Sequence, residues 1–129
     1  MALSIKTSRI LLPSATRSAS TATLAQVDTD AAALRLYLDV SAVSGTGGLL
    51  PIVRGYDRIS GNCVELTTGG GLPVTQVGTY AFEMTYYPSD AFGNIREAVS
   101  RAVPYHWDVI VKHADGSNYT YSLSTELLK

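Results

Sequence analysis

From Ala33 onward, Leu34, Leu36, Leu38, Val40 and Ala42 alternate with Arg35, Tyr37, Asp39 and Ser41. A period of two puts every second side chain on the same face of an extended chain. The segment therefore reads as a strand with one face on a core and the other toward water. The same period recurs where Tyr80, Phe82, Met84 and Tyr86 alternate with Ala81, Glu83 and Thr85. It recurs again where Tyr105, Trp107, Val109 and Val111 alternate with His106, Asp108 and Lys112.

Turn chemistry separates these runs. Ser44-Gly45-Thr46-Gly47-Gly48 interrupts the first strand, and Leu49 to Asp57 resumes an extended apolar run. Arg58-Ile59-Ser60-Gly61-Asn62 carries the residues of a tight reversal, so Ile52–Asp57 and Cys63–Thr67 are expected to pair as an antiparallel hairpin, with Val64 and Leu66 toward the core. Gly69-Gly70-Gly71 ends that strand, Pro73 to Gln76 offers a short edge strand, and Gly78 opens the next. Tyr87-Pro88 closes it. Ile95, Ala98, Val99 and Ala102 then fall at helical spacing behind Asn94, a possible N-cap, and are read as a loop with a helical turn. Asp115-Gly116 marks a turn before Tyr119, Tyr121 and Leu123, so the chain is expected to end in a hairpin.

Six or more short strands at this spacing predict an all-β fold, an antiparallel β-sandwich of jelly-roll-like or Ig-like type. Residues 33–129 form the sandwich domain, and residues 1–32 form an extended N-terminal arm. At 129 residues, 46% hydrophobic and 16% charged, the chain is sized and composed for one folded domain. Ten basic against 11 acidic side chains leave it near neutrality, without the positive field that nucleic-acid binding needs. No apolar run approaches a membrane span of about 20 residues. The single cysteine, Cys63, allows no internal disulfide and reads as a small strand hydrophobe.

The residues suited to chemistry do not assemble into a motif. His106 and Asp108 lie on one face of a strand, but a metal needs three or four ligands, and neither Cys63 nor His113 has the spacing of a zinc motif. G-x-S-x-G is absent, and neither glycine cluster is followed by Lys-Ser/Thr and a helix, as a phosphate loop would be. The acidic residues are scattered without a tight pair, and Asn118-Tyr119-Thr120, formally a glycosylation acceptor, reads as strand. No catalytic, cofactor-binding or metal-binding residue is assigned, and a non-enzymatic structural or binding role is expected.

The remaining feature is the N-terminal arm. Residues 1–27 contain Lys6, Arg9 and Arg17, no acid before position 28, and many Ser, Thr and Ala, with Ile10-Leu11-Leu12 as an apolar anchor. Such a segment has little capacity to fold alone, so something must hold it. Either Ile10–Leu12 adds a first strand to the sandwich, or Lys6, Arg9, Ile10, Leu11, Leu12 and Arg17 dock on a partner, for which a neighbouring subunit is the natural acceptor.

Two runs, Leu36-Tyr37-Leu38-Asp39-Val40-Ser41-Ala42-Val43-Ser44-Gly45 and Gly55-Tyr56-Asp57-Arg58-Ile59-Ser60-Gly61, resemble small structural proteins of tailed bacteriophages, in which a strand of the type L-x-L-D-V-T-A-V-S-G leads into G-K-D-P-x-S-G-K. Val103-Pro104-Tyr105-His106-Trp107-Asp108-Val109 is similar to the L-P-R-x-W-R-V of that family, and Tyr119-Thr120-Tyr121-Ser122 to its T-Y-S-V. The chain departs from the pattern at Arg58, where the family often has Pro, and at Asp108, where it has Arg. The resemblance covers roughly residues 33–128 and implies a virion component made in the host cytoplasm. It implies a capsid decoration (cement) protein on the outside of the head, bound to the major capsid protein, or else a neck or tail protein. A dimeric or trimeric homo-oligomer suits that geometry. A third possibility is a carbohydrate-binding or host-surface module that stacks sugars on Tyr37, Tyr56 and Tyr87.

Overall fold

The computed structural model describes residues 5–27, 31–85 and 95–128. Among them the fold is all-β, a sandwich of two packed sheets. The strands are β1 (Ile5–Arg17), β2 (Thr21–Ala22), β3 (Gln26–Val27), β4 (Ala33–Val43), β5 (Leu49–Tyr56), β6 (Cys63–Glu65), β7 (Gly78–Thr85), β8 (Ile95–Ser100), β9 (His106–His113) and β10 (Tyr119–Leu128). One sheet has the order β1-β10-β4-β7-β8. The other has the order β2-β9-β5-β6, with β3 also on β9. All pairings are antiparallel except β7 with β8.

The alternation in β4 produces the core. Leu34, Leu36, Leu38 and Val40 are buried and in register with Leu127, Thr125, Leu123 and Tyr121 on one side and with Met84, Phe82, Tyr80 and Gly78 on the other. Trp107, Val109 and Val111 of β9 face them from the second sheet, joined by Leu49 and Val53 of β5. Each large side chain removed from water this way contributes about 1.5–3 kcal/mol.

The chain ends in an arch, not a hairpin. β9 belongs to one sheet and β10 to the other, and β4 and β5 are divided in the same way. Alternation cannot separate the two cases, because it fixes which residues face a core but not whether successive strands are neighbours or face each other. Here Trp107, Val109 and Val111 bury against Tyr119, Tyr121 and Leu123 across the core. The two arches lie side by side and are bonded together. Asp115 accepts from Gly47 N at 2.8 Å, Ser117 N at 3.0 Å and the Tyr119 hydroxyl at 3.0 Å. Gly48 N donates to the same hydroxyl at 3.0 Å, and Ser44 exchanges bonds with Asn118.

The hairpin of β5 with β6 forms as the turn predicts, in the register Arg54 with Glu65, Gly55 with Val64 and Tyr56 with Cys63. Leu66 packs on the core, but Val64 is exposed, because Gly55 opposite offers it no side chain to pack against. Cys63 is exposed and free, not a packed strand residue. Within Pro73 to Gln76, only Val74 pairs, as a single bridge to Leu49.

The helical turn over Ile95–Ala102 is corrected to a strand followed by irregular chain, since β8 lies parallel to the free edge of β7. Its spacing looked helical because its polar side chains are spent on a neighbouring loop. Glu97 accepts from Gly69 N, Thr68 N and Thr68 Oγ1, and Arg96 donates to the Leu72 and Pro73 carbonyls. That loop contains Gly69, Gly70 and Gly71, all at φ between 70° and 83°, a conformation three successive residues hold only as glycine. Tyr86, Tyr87, Pro88 and Asn94 lie outside the described residues.

Gly48 combines φ +86° with a position where a Cβ would stand 2.7 Å from the Val74 carbonyl oxygen. Gly48→Ala is therefore expected to destabilise the fold by at least about 1–3 kcal/mol, read as a lower urea midpoint at unchanged m-value.

Candidate functional site

The outer face of the β9-β5 pair carries a dense polar cluster. The register sets Arg54 directly opposite Asp108, both pointing away from the core. Arg54 grips the carboxylate with two bonds, Nε to Oδ1 at 2.8 Å and Nη2 to Oδ2 at 2.6 Å, and the Tyr56 hydroxyl donates to Oδ2 at 2.6 Å. Asp108 is only 3% exposed although it sits on the outer face. Its hydrogen bond and charge hold the Arg54 guanidinium pKa above the ordinary value and raise that of the Tyr56 phenol. His106 stacks on Tyr56 at 4.8 Å between ring centroids. The pair that looked adjacent in sequence is thus engaged by β5, Asp108 by Arg54 and the Tyr56 hydroxyl and His106 by the Tyr56 ring.

Beside this cluster, Lys112 on β9 forms an ion pair with Glu65 on β6. By register, Lys112 lies opposite Leu50 and Glu65 opposite Arg54, so the bridge passes over Ile52 between them, and Ile52 is buried on an outward-facing position. The other sheet has an equivalent device in Arg35 and Glu83, joined at 2.9 Å across β4 and β7.

The N-terminal segment is part of the sandwich. β1 pairs along its length with β10, and β2 and β3 pair with β9, so the segment crosses from the edge of one sheet to the edge of the other. Leu12 enters the core and Leu11 packs against it. Arg9 bridges the two sheets by donating to Gln26 at 2.9 Å. Arg17 fills the bulge between Leu12 and Ala15, donating to the carbonyls of Pro13, Ala15 and Tyr121 with its guanidinium 4.7 Å from the Tyr121 ring. Ile10 stays 75% exposed on the outer face, where Ser124 separates it from Tyr37. The side chain of Lys6 lies outside the described residues. Of the proposed platform tyrosines, Tyr56 has a ring face against His106, Tyr37 is half-buried, and Tyr87 lies outside the described residues.

Sequence reasoning missed the cluster at the second arch. His113 Nε2 is 2.8 Å from the Tyr121 hydroxyl, and its backbone N–H donates to Ser20 Oγ at the crossing from β1 to β2. Its Nδ1 is buried without a hydrogen-bond partner among the described residues. Burial lowers the His113 pKa below the ordinary value, assisted by Arg17 and opposed by Asp115. A protonated ring would bury an unsatisfied N–H.

Among the described residues no group of three or more His, Cys, Asp or Glu side chains could hold a metal ion, and no helix is long and apolar enough to cross a membrane.

Two outcomes follow from this geometry. Arg54→Met leaves the Asp108 carboxylate buried beside a lone phenol and is expected to cost about 3–5 kcal/mol, while the double variant Arg54→Met/Asp108→Leu recovers most of it in urea unfolding. For His113, the unfolded chain binds a proton more readily than the folded one. Stability should therefore be full above the unfolded pKa of about 6.5 and fall as pH drops through the window between that value and the lower folded pKa. His113→Gln should flatten that part of the pH profile of the urea midpoint.

No protein-family model matches the chain, and no curated protein matches it either.

Proposed function

We propose that this chain is a structural protein of a tailed-phage virion, of the capsid decoration (cement) type. It is made in the host cytoplasm and carried on the outside of the head. The observation that carries the proposal is where the phage-like segments fall. Residues 36–45, 55–61, 103–109 and 119–122 lie in or beside β4, β5, β9 and β10, all interior strands of their sheets. The likeness thus follows the framework of the sandwich and not one isolated turn.

A decoration protein acts by mass action. It binds the assembled shell and not its dissociated parts, so it shifts the equilibrium toward the shell, and repetition over the lattice or as a dimer or trimer adds avidity. The sandwich suits such a task because its polar side chains are used internally. Arg54, Asp108, Arg35, Glu83, Arg17, Arg96 and Glu97 all brace the fold. Ile10, Leu24, Ile59, Leu72 and Val77 add exposed apolar surface that a partner could cover, beside exposed charged residues such as Arg58 and Arg101.

The deciding measurement is the copy number in purified virions, by quantitative mass spectrometry against the major capsid protein. One copy per capsid subunit, or a simple lattice fraction of it, is the expected result. A handful of copies per particle would assign the chain to the neck or tail instead, and absence from the particle would overturn the virion proposal.

A further inference from the structure

Residues 18–23 carry the chain from the sheet of β1 to the edge of β9, and their sequence, Ser-Ala-Ser-Thr-Ala-Thr, has no large apolar side chain to bury. Thr23 alone among them is buried. Strand pairing holds Thr21 to Val111 and Ala22 to Ile110. Thr23 N donates to Val109 O at 2.8 Å, and Val109 N donates to Thr23 Oγ1 at 3.1 Å. A segment held by so few bonds and so little burial opens at a lower free energy than the strands of the core. Both its ends are better anchored, since β1 pairs with β10 from Ile5 to Arg17 and β3 is tied to β1 by the Arg9 bond to Gln26.

His113 fastens this segment at its start. The ring lies against Tyr119 and Tyr121 of β10, at 5.5 and 5.7 Å between centroids. Its backbone N–H donates to Ser20 Oγ at 2.9 Å, its Nε2 is 2.8 Å from the Tyr121 hydroxyl, and Arg17 stands over the same Tyr121 ring at 4.7 Å. The charged and titratable groups facing the imidazole come from three elements. β1 presents the Arg17 guanidinium, and β10 presents the phenols of Tyr119 and Tyr121. The β9–β10 arch presents Asp115, whose carboxylate accepts from Gly47 N, Ser117 N and the Tyr119 hydroxyl. Residues 18–23 and residues 44–49 of the β4–β5 arch contain no acidic or basic side chain. A neutral ring can donate from Nε2 and leave Nδ1 as a bare acceptor. A protonated ring sets a second positive charge near Arg17 and strands an N–H at Nδ1, which is buried without a partner among the described residues.

We infer that His113 is an acid-sensitive latch: when its imidazole takes a proton, residues 18–23 leave the edge of β9, while β1 stays on β10 and the two sheets stay packed. Tyr119 and Tyr121 are fully buried, whereas Ser20 is exposed. Water therefore reaches the charged ring more cheaply by displacing the crossing than by parting the sheets. Release uncovers backbone groups of β9 between Val109 and His113, so acid converts a covered sheet edge into one open to pairing. The latch does not depend on the virion proposal.

The test is native-state hydrogen exchange of the full-length chain, read by NMR at the amides of Thr23, Val109 and His113. It runs from about pH 7.5 to 5.5, with and without sub-denaturing urea, and is corrected for intrinsic rates. The three amides should open without urea dependence, at a lower free energy than the amides of β4 and β7. Their opening constant should rise by up to tenfold per pH unit below about 6.5, because the open state binds the proton that the closed state resists. His113→Gln and His113→Phe should each abolish the rise, and His106→Gln, at the other end of β9, should keep it. Opening with the urea dependence and free energy of the β4 amides would make the event global unfolding and overturn the latch. A wild-type opening constant that does not change with pH, or a rise that survives loss of His113, overturns it as well.

Discussion

The carboxylate of Asp115 is the point on which the two sheets turn. It receives the Tyr119 hydroxyl and the backbone amides of Gly47 and Ser117, and Gly48 N reaches the same hydroxyl. These bonds lash the β4–β5 arch to the β9–β10 arch. Both arches carry the chain from one sheet to the other, so their joint geometry sets how the inner faces meet. Tyr119 is fully buried with its hydroxyl satisfied, which lets a large aromatic ring fill the end of the core without leaving an unpaired polar atom. Holding several hydrogen bonds also keeps the Asp115 pKa below the ordinary value, so the clamp persists through the neutral range.

The open sides of the sandwich are closed by chain that contributes little to the core. On one side, residues 5–27 wrap from sheet to sheet, and among their described side chains only Leu12 and Thr23 are buried. They are held by strand pairing, by the Arg9 bond to Gln26 and by Arg17 in the bulge. On the other side, Arg96 and Glu97 of β8 hold the glycine loop over the gap between β8 and β5. In each case a charged side chain that could have served a partner satisfies backbone groups of its own fold. A bulged edge strand with an arginine across its carbonyls is also a poor template for another strand, which protects the edge from pairing with further copies.

Much of the fold was legible in the residues, but little of the polar architecture was. The alternation in β4, β7, β9 and β10 named most of the core residues, although Ala42 and Tyr105, expected on the inward face, are exposed, and the Asn/Gly turn named the β5–β6 hairpin. The C-terminal hairpin was wrong because a turn signal is the same whether strands pair or face each other. β8 was missed because its spacing mimics a helix when both its faces are engaged. The Arg54–Asp108 pair joins residues 54 apart in sequence, so no local pattern announces it. The adjacency of His106 and Asp108 pointed to a couple that the fold engages instead with Tyr56 and Arg54.

By itself the sequence determined which residues face inward, because hydrophobic periodicity follows from the two-residue repeat of an extended chain. It also determined where the chain must turn, because Gly, Asn and Asp relieve local steric limits. Which strands are neighbours and which charges meet were decided by tertiary structure alone. Those outcomes depend on contacts between residues distant in the chain, and each such contact has its energy only once the two sheets have closed on one another.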